Sequence, residues 1–214
     1  MRANRHRRIE RAELDRIAHA AVIDLLRLQE SLGCDIVTDG ELRRDNFYSF
    51  VAAKLSGVRL MTLAEMLDVV EDKAGFEQLL QTLDVPAYSI SSPICTARIE
   101  RREPLAVDDL AFARRHTDRA IKVTLPGPYL LTRAMFVPEL TRGCYADKEG
   151  LAQDVLALLR MELEELKSAG AEFVQFDEPV LTEVASRRGG RGRSCAPRSP
   201  RGRIRPKSSS SPSN

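Results

Sequence analysis

Apolar residues recur at spacings of three and four over residues 10–32, where Leu14, Ile17, Ala21, Leu25, Leu28 and Leu32 make one stripe. That period predicts an amphipathic helix. Gly33 follows and suits a helix C-terminus. The pattern then shortens to Asp35-Ile36-Val37-Thr38, which predicts a buried strand ending in Asp39-Gly40-Glu41. The same grammar returns later. Ala152, Leu156, Leu159, Leu163 and Leu166 form a second stripe, and Gly170 ends it. Glu172-Phe173-Val174-Gln175-Phe176 then predicts a strand, followed by Asp177-Glu178-Pro179. Both units set carboxylates just beyond a strand's C-terminal end.

Between them the pattern predicts helices over 45–55 and 62–83, the latter weakened by Gly75. Ser89-Ile90 and residues 94–99 are strand candidates. A helix over 107–120 opens on Asp108 and Asp109, which complement its dipole. A strand over 121–125 runs into Pro126-Gly127-Pro128 and a short helix to Phe136. Strands alternating with helices imply α/β architecture with a parallel sheet. Doubly wound sheets and (β/α)8 barrels both satisfy this, and the pleat favours the barrel. Lys122 and Thr124 share one face of their strand, while Ile121, Val123 and Leu125 share the other. A central strand of an open parallel sheet is usually apolar on both faces, whereas a barrel lumen accepts polar groups near its mouth.

In barrels the chemistry sits at the C-terminal ends of strands. That rule nominates Asp39, Glu41, Asp177, Glu178 and the Pro126-Gly127-Pro128 turn, whose helix N-terminus could hold an anion such as a substrate carboxylate. Each acid also has a structural reading as a helix cap or dipole partner, and Pro179 is a natural first helical residue. Two strand ends with the same feature shift the balance towards function. No nucleotide-phosphate loop motif is present. His6 lies in an Arg-rich lead, and His19 and His116 lie within helices, so all three read as surface or packing residues. Cys34 reads as a small buried group and Cys95 as a weak site candidate. No usual zinc-ligand spacing occurs.

Charge divides the chain. Residues 186–214 hold 8 Arg, 1 Lys, 8 Ser, 4 Gly, 4 Pro and no acid. Removing those nine bases leaves 24 against 31 acids in residues 1–185, a net of −7, although the whole chain is +2. An acidic body over 1–185 followed by a disordered basic tail over 186–214 is therefore expected, and nucleic-acid binding through the fold is disfavoured. No apolar run is long enough for a membrane span, and no secretory signal is visible. The four scattered cysteines fit reduced thiols of a cytoplasmic protein.

Three blocks carry a resemblance: Val37-Thr38-Asp39-Gly40-Glu41-Leu42-Arg43-Arg44, Lys122-Val123-Thr124-Leu125-Pro126-Gly127-Pro128 and Val174-Gln175-Phe176-Asp177-Glu178-Pro179. In this order and approximate spacing they resemble the cobalamin-independent methionine synthases, closest to short bacterial and archaeal members carrying only the C-terminal catalytic barrel. The likeness covers about residues 10–185. It implies a TIM-type (β/α)8 barrel and methyl transfer from a methylated tetrahydrofolate to the sulfur of homocysteine, giving methionine. It implies that Glu41 and Asp177 bind homocysteine through its amino group, and that Glu183 contacts the pterin. It also implies zinc on the homocysteine sulfur, since zinc lowers a thiol's pKa.

The family's zinc ligands, a His-x-Cys pair followed by a Glu and a distant Cys, have no counterpart here. Position 193, two before Cys195, is Arg. The opening Gly-Ser strand and a tryptophan near the pterin are also unmatched. A barrel needs about 250 residues. The expectation is therefore an incomplete barrel, truncated at both ends, inactive alone, with exposed strand edges that favour self-association. The abrupt change near residue 186 reads as an out-of-frame or unrelated extension, which the gene sequence would test. Alternatives are a related thiol methyl- or alkyltransferase with another donor, a nucleic-acid-binding protein using its basic tail, and a barrel of the porphyrinogen decarboxylase type, whose blocks match less well.

Overall fold

Residues 10–69 and 91–182 are described by the structure, a computed structural model. Helix α1 (Arg11–Ser31) leads into β1 (Ile36–Val37). After a run of turns come α2 (Val51–Lys54), β2 (Leu55–Thr62) and α3 (Leu63–Val69). Next are β3 (Ser91–Arg101), α4 (Val107–Arg114), β4 (Ala120–Pro126), α5 (Pro128–Met135) and α6 (Pro138–Thr141). Helix α7 (Lys148–Ser168), β5 (Phe173–Asp177) and a 3-10 turn (Pro179–Leu181) close the described chain. The described residues up to Leu181 pack as one unit.

The main sheet has strand order β1-β4-β5 and is parallel throughout, with β4 in the centre. Val37 pairs with Ile121, and Val123, Leu125 and Pro126 pair with Val174, Phe176 and Asp177. This register brings the C-terminal ends of β1, β4 and β5 to one rim. The faces of β4 divide as its pleat predicts. Ile121, Val123 and Leu125 are buried in the core, while Lys122 Nζ donates to Gln175 Oε1 at 2.8 Å across the polar face. Burying each such aliphatic side chain contributes about 1.5–3 kcal/mol.

Four expectations change. First, β3 is not part of the parallel sheet. It pairs antiparallel with β2 as a separate two-stranded ribbon between β1 and β4. Strand β2 was hidden because its burial does not alternate and its two end residues, Leu55 and Thr62, fall in the expected helices. Second, residues 45–50 form turns, so the helix expected over 45–55 is only one turn, α2. Third, α4 stops at Arg114. The Thr117 hydroxyl accepts from Arg119 N at 3.1 Å and donates to the Glu30 carboxylate, starting the entry into β4. Fourth, α1 buries Val22 and Leu26, whereas Leu14, Ile17, Leu28 and Leu32 of the expected stripe stay 44–73% exposed. Period identifies a helix, but not which of two adjoining apolar faces meets the sheet.

In α7 the buried face is Leu151, Val155, Leu158, Leu159, Glu162 and Leu166. It is rotated slightly from the expected stripe and has an acid at its centre. Asp147 caps this helix by accepting from Gly150 N at 2.9 Å. The distal part of the helix expected over 62–83, Ser89-Ile90 and the basic tail over 186–214 lie outside the described residues. Among the described residues no helix is long and apolar enough to cross a membrane.

Candidate active site at the strand ends

The turn after β1 is built by side chains. Gln29 of α1 acts as a surrogate neighbouring strand: its Nε2 donates to Thr38 O at 2.8 Å and its Oε1 accepts from Thr38 N at 3.1 Å. The chain then reverses at Gly40, whose φ is 66° and where a Cβ would collide with the Leu25 side chain. Glu41 follows at φ 57°, the one non-glycine residue at positive φ among the described residues. Such a conformation costs about 1–3 kcal/mol and is held by its surroundings. Here Asp39 Oδ1 accepts from Glu41 N at 3.1 Å, and Thr38 Oγ1 accepts from Gly40 N at 3.3 Å. Asp39 is buried, and its Oδ2 has no hydrogen-bond partner.

Glu41 is gripped from one side. Arg44 Nη1 donates to Glu41 Oε2 at 3.1 Å and to Thr124 O at 2.9 Å, while its Nε donates to Asp109 Oδ2 at 3.2 Å. Arg43 Nη1 lies 3.0 Å from the other Asp109 oxygen. The Arg44 guanidinium also lies 4.4 Å from the centre of the Phe50 ring.

Asp177 and Glu178, at the end of β5, have different tasks. Asp177 Oδ1 accepts from Gln175 Nε2 at 2.6 Å, and its backbone oxygen accepts from Gly127 N at 2.8 Å. The Glu178 carboxylate accepts from Tyr129 N at 2.7 Å and Leu130 N at 2.8 Å. It thus fills the N-terminus of α5, the position nominated above for a substrate anion. That nomination is corrected: the dipole end already holds an internal carboxylate. Gly127 makes room for it, because a Cβ there would collide with the Glu178 carboxyl group. Glu178 is accordingly a helix cap, whereas Asp177 and Glu41 accept from the side chains of Gln175 and Arg44 and cap no helix.

Electrostatics distinguish this rim. Burial pushes Glu41 above the ordinary carboxylate value, Arg44 opposes the shift, and the negative charges of Asp177 and Asp39 push it further up. Burial likewise raises Asp109, against the pull of Arg44 and Arg43. The rim therefore concentrates negative charge that its own arginines compensate only in part. A ligand cation, such as an α-ammonium group, is the natural complement.

The sequence model of the family described as "Cobalamin-independent synthase, Catalytic domain" matches residues 1–192. The chain belongs to this family. It is similar to a methionine synthase of Saccharolobus solfataricus, 27% identical over 183 residues, covering 85% of this chain and 48% of that protein. It is also similar to a 5-methyltetrahydropteroyltriglutamate–homocysteine methyltransferase of Thermosynechococcus vestitus, 29% identical over 181 residues, covering 82% of this chain and 21% of that protein. A solved structure of a B12-independent methionine synthase from Shewanella sp. W3-18-1, in complex with selenomethionine, superposes with a TM-score of 0.59. The match is 27% identical and covers 83% of this chain and 47% of that one. The fold is thus the TIM-barrel type of the cobalamin-independent synthases, and the chain spans about half the length or less of these relatives.

Family membership brings zinc into question. Among the described residues no group of three or more His, Cys, Asp or Glu side chains could hold a metal ion. The nearest approach to a soft-ligand pair is Cys95 and Cys144, whose sulfurs lie 4.0 Å apart. Burial and the neighbouring Cys144 push the Cys95 thiol up to about 12, so it is protonated near neutral pH and is no ready thiolate ligand. His19 stacks on Phe112 at 4.5 Å, and His116 lies 4.9 Å from the same ring. These residues do not fit a zinc centre, and no chemical step is assigned to zinc on them.

Glu183, assigned by resemblance to the pterin, lies outside the described residues. Sequence reasoning missed Arg44 and Asp109. Arg44 follows Glu41 by three residues in the segment 37–44, and that spacing was the available signal. Asp109 was read only as a dipole partner, because its arginines are 65 and 66 positions away and no local pattern joins them.

Proposed function

We propose that this chain forms the amino-acid-binding side of a cobalamin-independent methionine synthase barrel. In that reaction a methyl group passes from a methylated tetrahydrofolate to the homocysteine sulfur, giving methionine. The carrying observation is the pairing of Glu41 and Asp177. They stand at the ends of β1 and β5 on either side of β4, close enough that the Asp177 charge raises the Glu41 pKa. Two carboxylates converging on one rim suit an α-ammonium group, which binds charge-assisted at both. Holding the amino group there orients the side-chain sulfur towards the donor. Asp39 and Asp109 add to the negative field, and Arg44 opposes the neutralisation of Glu41. The pterin contact of Glu183 and a cytoplasmic location belong to the same proposal.

Calorimetric titration with L-methionine and L-homocysteine tests the binding step, and transfer of a labelled methyl group, with and without added zinc, tests turnover. Glu41→Gln and Asp177→Asn should each weaken amino-acid binding by at least about tenfold, the loss expected when a charged hydrogen bond is removed. Unchanged affinity in both variants would remove Glu41 and Asp177 from the site.

A further inference from the structure

We propose that Arg44 is the positioning residue of this site, fixing the Glu41 carboxylate where it meets the ligand's ammonium group; this rests on Glu41 being an ammonium-binding residue. The argument is geometric. Glu41 stands on strained backbone at φ 57°, and Arg44 Nη1 is the side-chain donor that reaches its carboxylate. Arg44 itself has almost no freedom. Its side chain is 4% exposed, Nη1 is also bound to the β4 carbonyl of Thr124, Nε is bound to Asp109 of α4, and the guanidinium stacks on Phe50. A planar fork held at three points transmits the position of β4 and α4 to a carboxylate on the β1 turn. Asp109 in turn is held on its other oxygen by Arg43, which fixes the far end of the clamp.

Charge supports the same role. Burial, Asp177 and Asp39 all favour a neutral Glu41, and Arg44 is the cation that opposes them. A neutral acid at this place could not form an ion pair with an ammonium group. Arg44 therefore acts through Glu41 without touching the ligand.

The test uses the full chain with Arg44→Met and Arg44→Lys. The Glu41 side-chain carboxyl carbon is followed by NMR through a pH titration, identified by its loss in Glu41→Gln. L-methionine affinity is measured calorimetrically at pH 7. Arg44→Met should raise the Glu41 midpoint by about one unit, the size of effect one partly exposed neighbouring charge exerts, and weaken methionine binding about tenfold. Arg44→Lys keeps the charge and loses the fork, so the midpoint should return most of the way while affinity recovers only in part. A merely structural arginine would change the melting temperature and leave the Glu41 midpoint in place; that result in folded Arg44→Met overturns the proposal. If Arg44→Met does not fold, Arg44→Lys decides alone, with an unchanged midpoint and unchanged affinity as the overturning result. If the unsubstituted chain binds no methionine, the ammonium-site reading itself fails, whereas a Glu41 midpoint that moves in the variants still shows Arg44 controlling that carboxylate.

Discussion

Two arginine–glutamate pairs in this protein have nearly the same chemistry and opposite situations. Glu162 lies at the centre of the buried face of α7, fully enclosed. It accepts from Arg101 Nη2 at 2.7 Å, Leu105 N at 2.7 Å and Ala106 N at 2.8 Å. Arg101 is further held by two bonds to Glu165 at 2.6 Å. Every donor aimed at Glu162 belongs to the fold, and the pair ties β3 and the entry to α4 onto α7. Glu41 pairs with Arg44 at the rim, on strained backbone, beside other carboxylates, with its charge only partly compensated. Saturation separates the two. A carboxylate whose acceptor sites are filled from within holds structure, and one left short of partners is available to a ligand. Glu178 falls on the structural side by the same criterion, despite its place in the Asp-Glu-Pro block.

The largest effect should come from breaking the saturated pair. Glu162→Ala leaves Arg101 short of a partner and two backbone N–H groups buried without an acceptor. The expected loss is about 3–5 kcal/mol, as for other buried pairs deprived of one member. Urea unfolding measures it directly. A loss below about 1 kcal/mol would mean that Glu162 is not the internal anchor described here. Next in size is the α5 cap. Glu178→Ala should cost about 1–2 kcal/mol, the range for losing a helix cap. Gly127→Ala should also destabilise, because the added methyl displaces the Glu178 carboxylate. If Glu178→Ala instead abolished methionine binding without loss of stability, Glu178 would move from cap to ligand.

What the sequence disclosed follows from how local each feature is. The units α1–β1 and α7–β5 are consecutive, and their periods of 3.6 and 2 are written into neighbouring positions. Lys122 and Thr124 opposite Ile121, Val123 and Leu125 revealed the two faces of β4 for the same reason. Residues 94–99 were legible as a strand, but their antiparallel partner β2 escaped, because pairing across the 28 residues between the two strands leaves no local pattern. The acids at the strand ends were legible as a class, but their division of labour was not. Glu178 meets Tyr129 and Leu130 from 49 and 48 positions away, and Arg44 meets Thr124 from 80. Only the closed register of β1, β4 and β5 makes those neighbours. Glu162 had a local signal, an acid spaced three after Leu159 and four before Leu166 on an otherwise apolar face.

The smallest expected effect tests the unsaturated side of the comparison through pH. The folded-state pKa of Glu41 is raised above its ordinary value of 4.5, chiefly by burial. A carboxyl raised on folding binds its proton more tightly in the native state. Its favourable contribution is therefore fully present below the ordinary value and is lost as pH rises through the raised native value. Near neutral pH the ionised Glu41 is a cost to the fold. Glu41→Gln removes that cost, so the variant should be more stable than the unsubstituted chain at pH 7. The side chain is partly open to water, which limits the gain to less than about 1 kcal/mol. Lowering the pH below 4.5 protonates Glu41 in both native and unfolded states, and the advantage of glutamine should shrink towards zero. Paired urea titrations of the two proteins at pH 7 and near pH 4 measure this difference while the other carboxylates largely cancel. A variant less stable at pH 7 would show that Arg44 more than compensates Glu41, and the rim carboxylate would then be as saturated as Glu162.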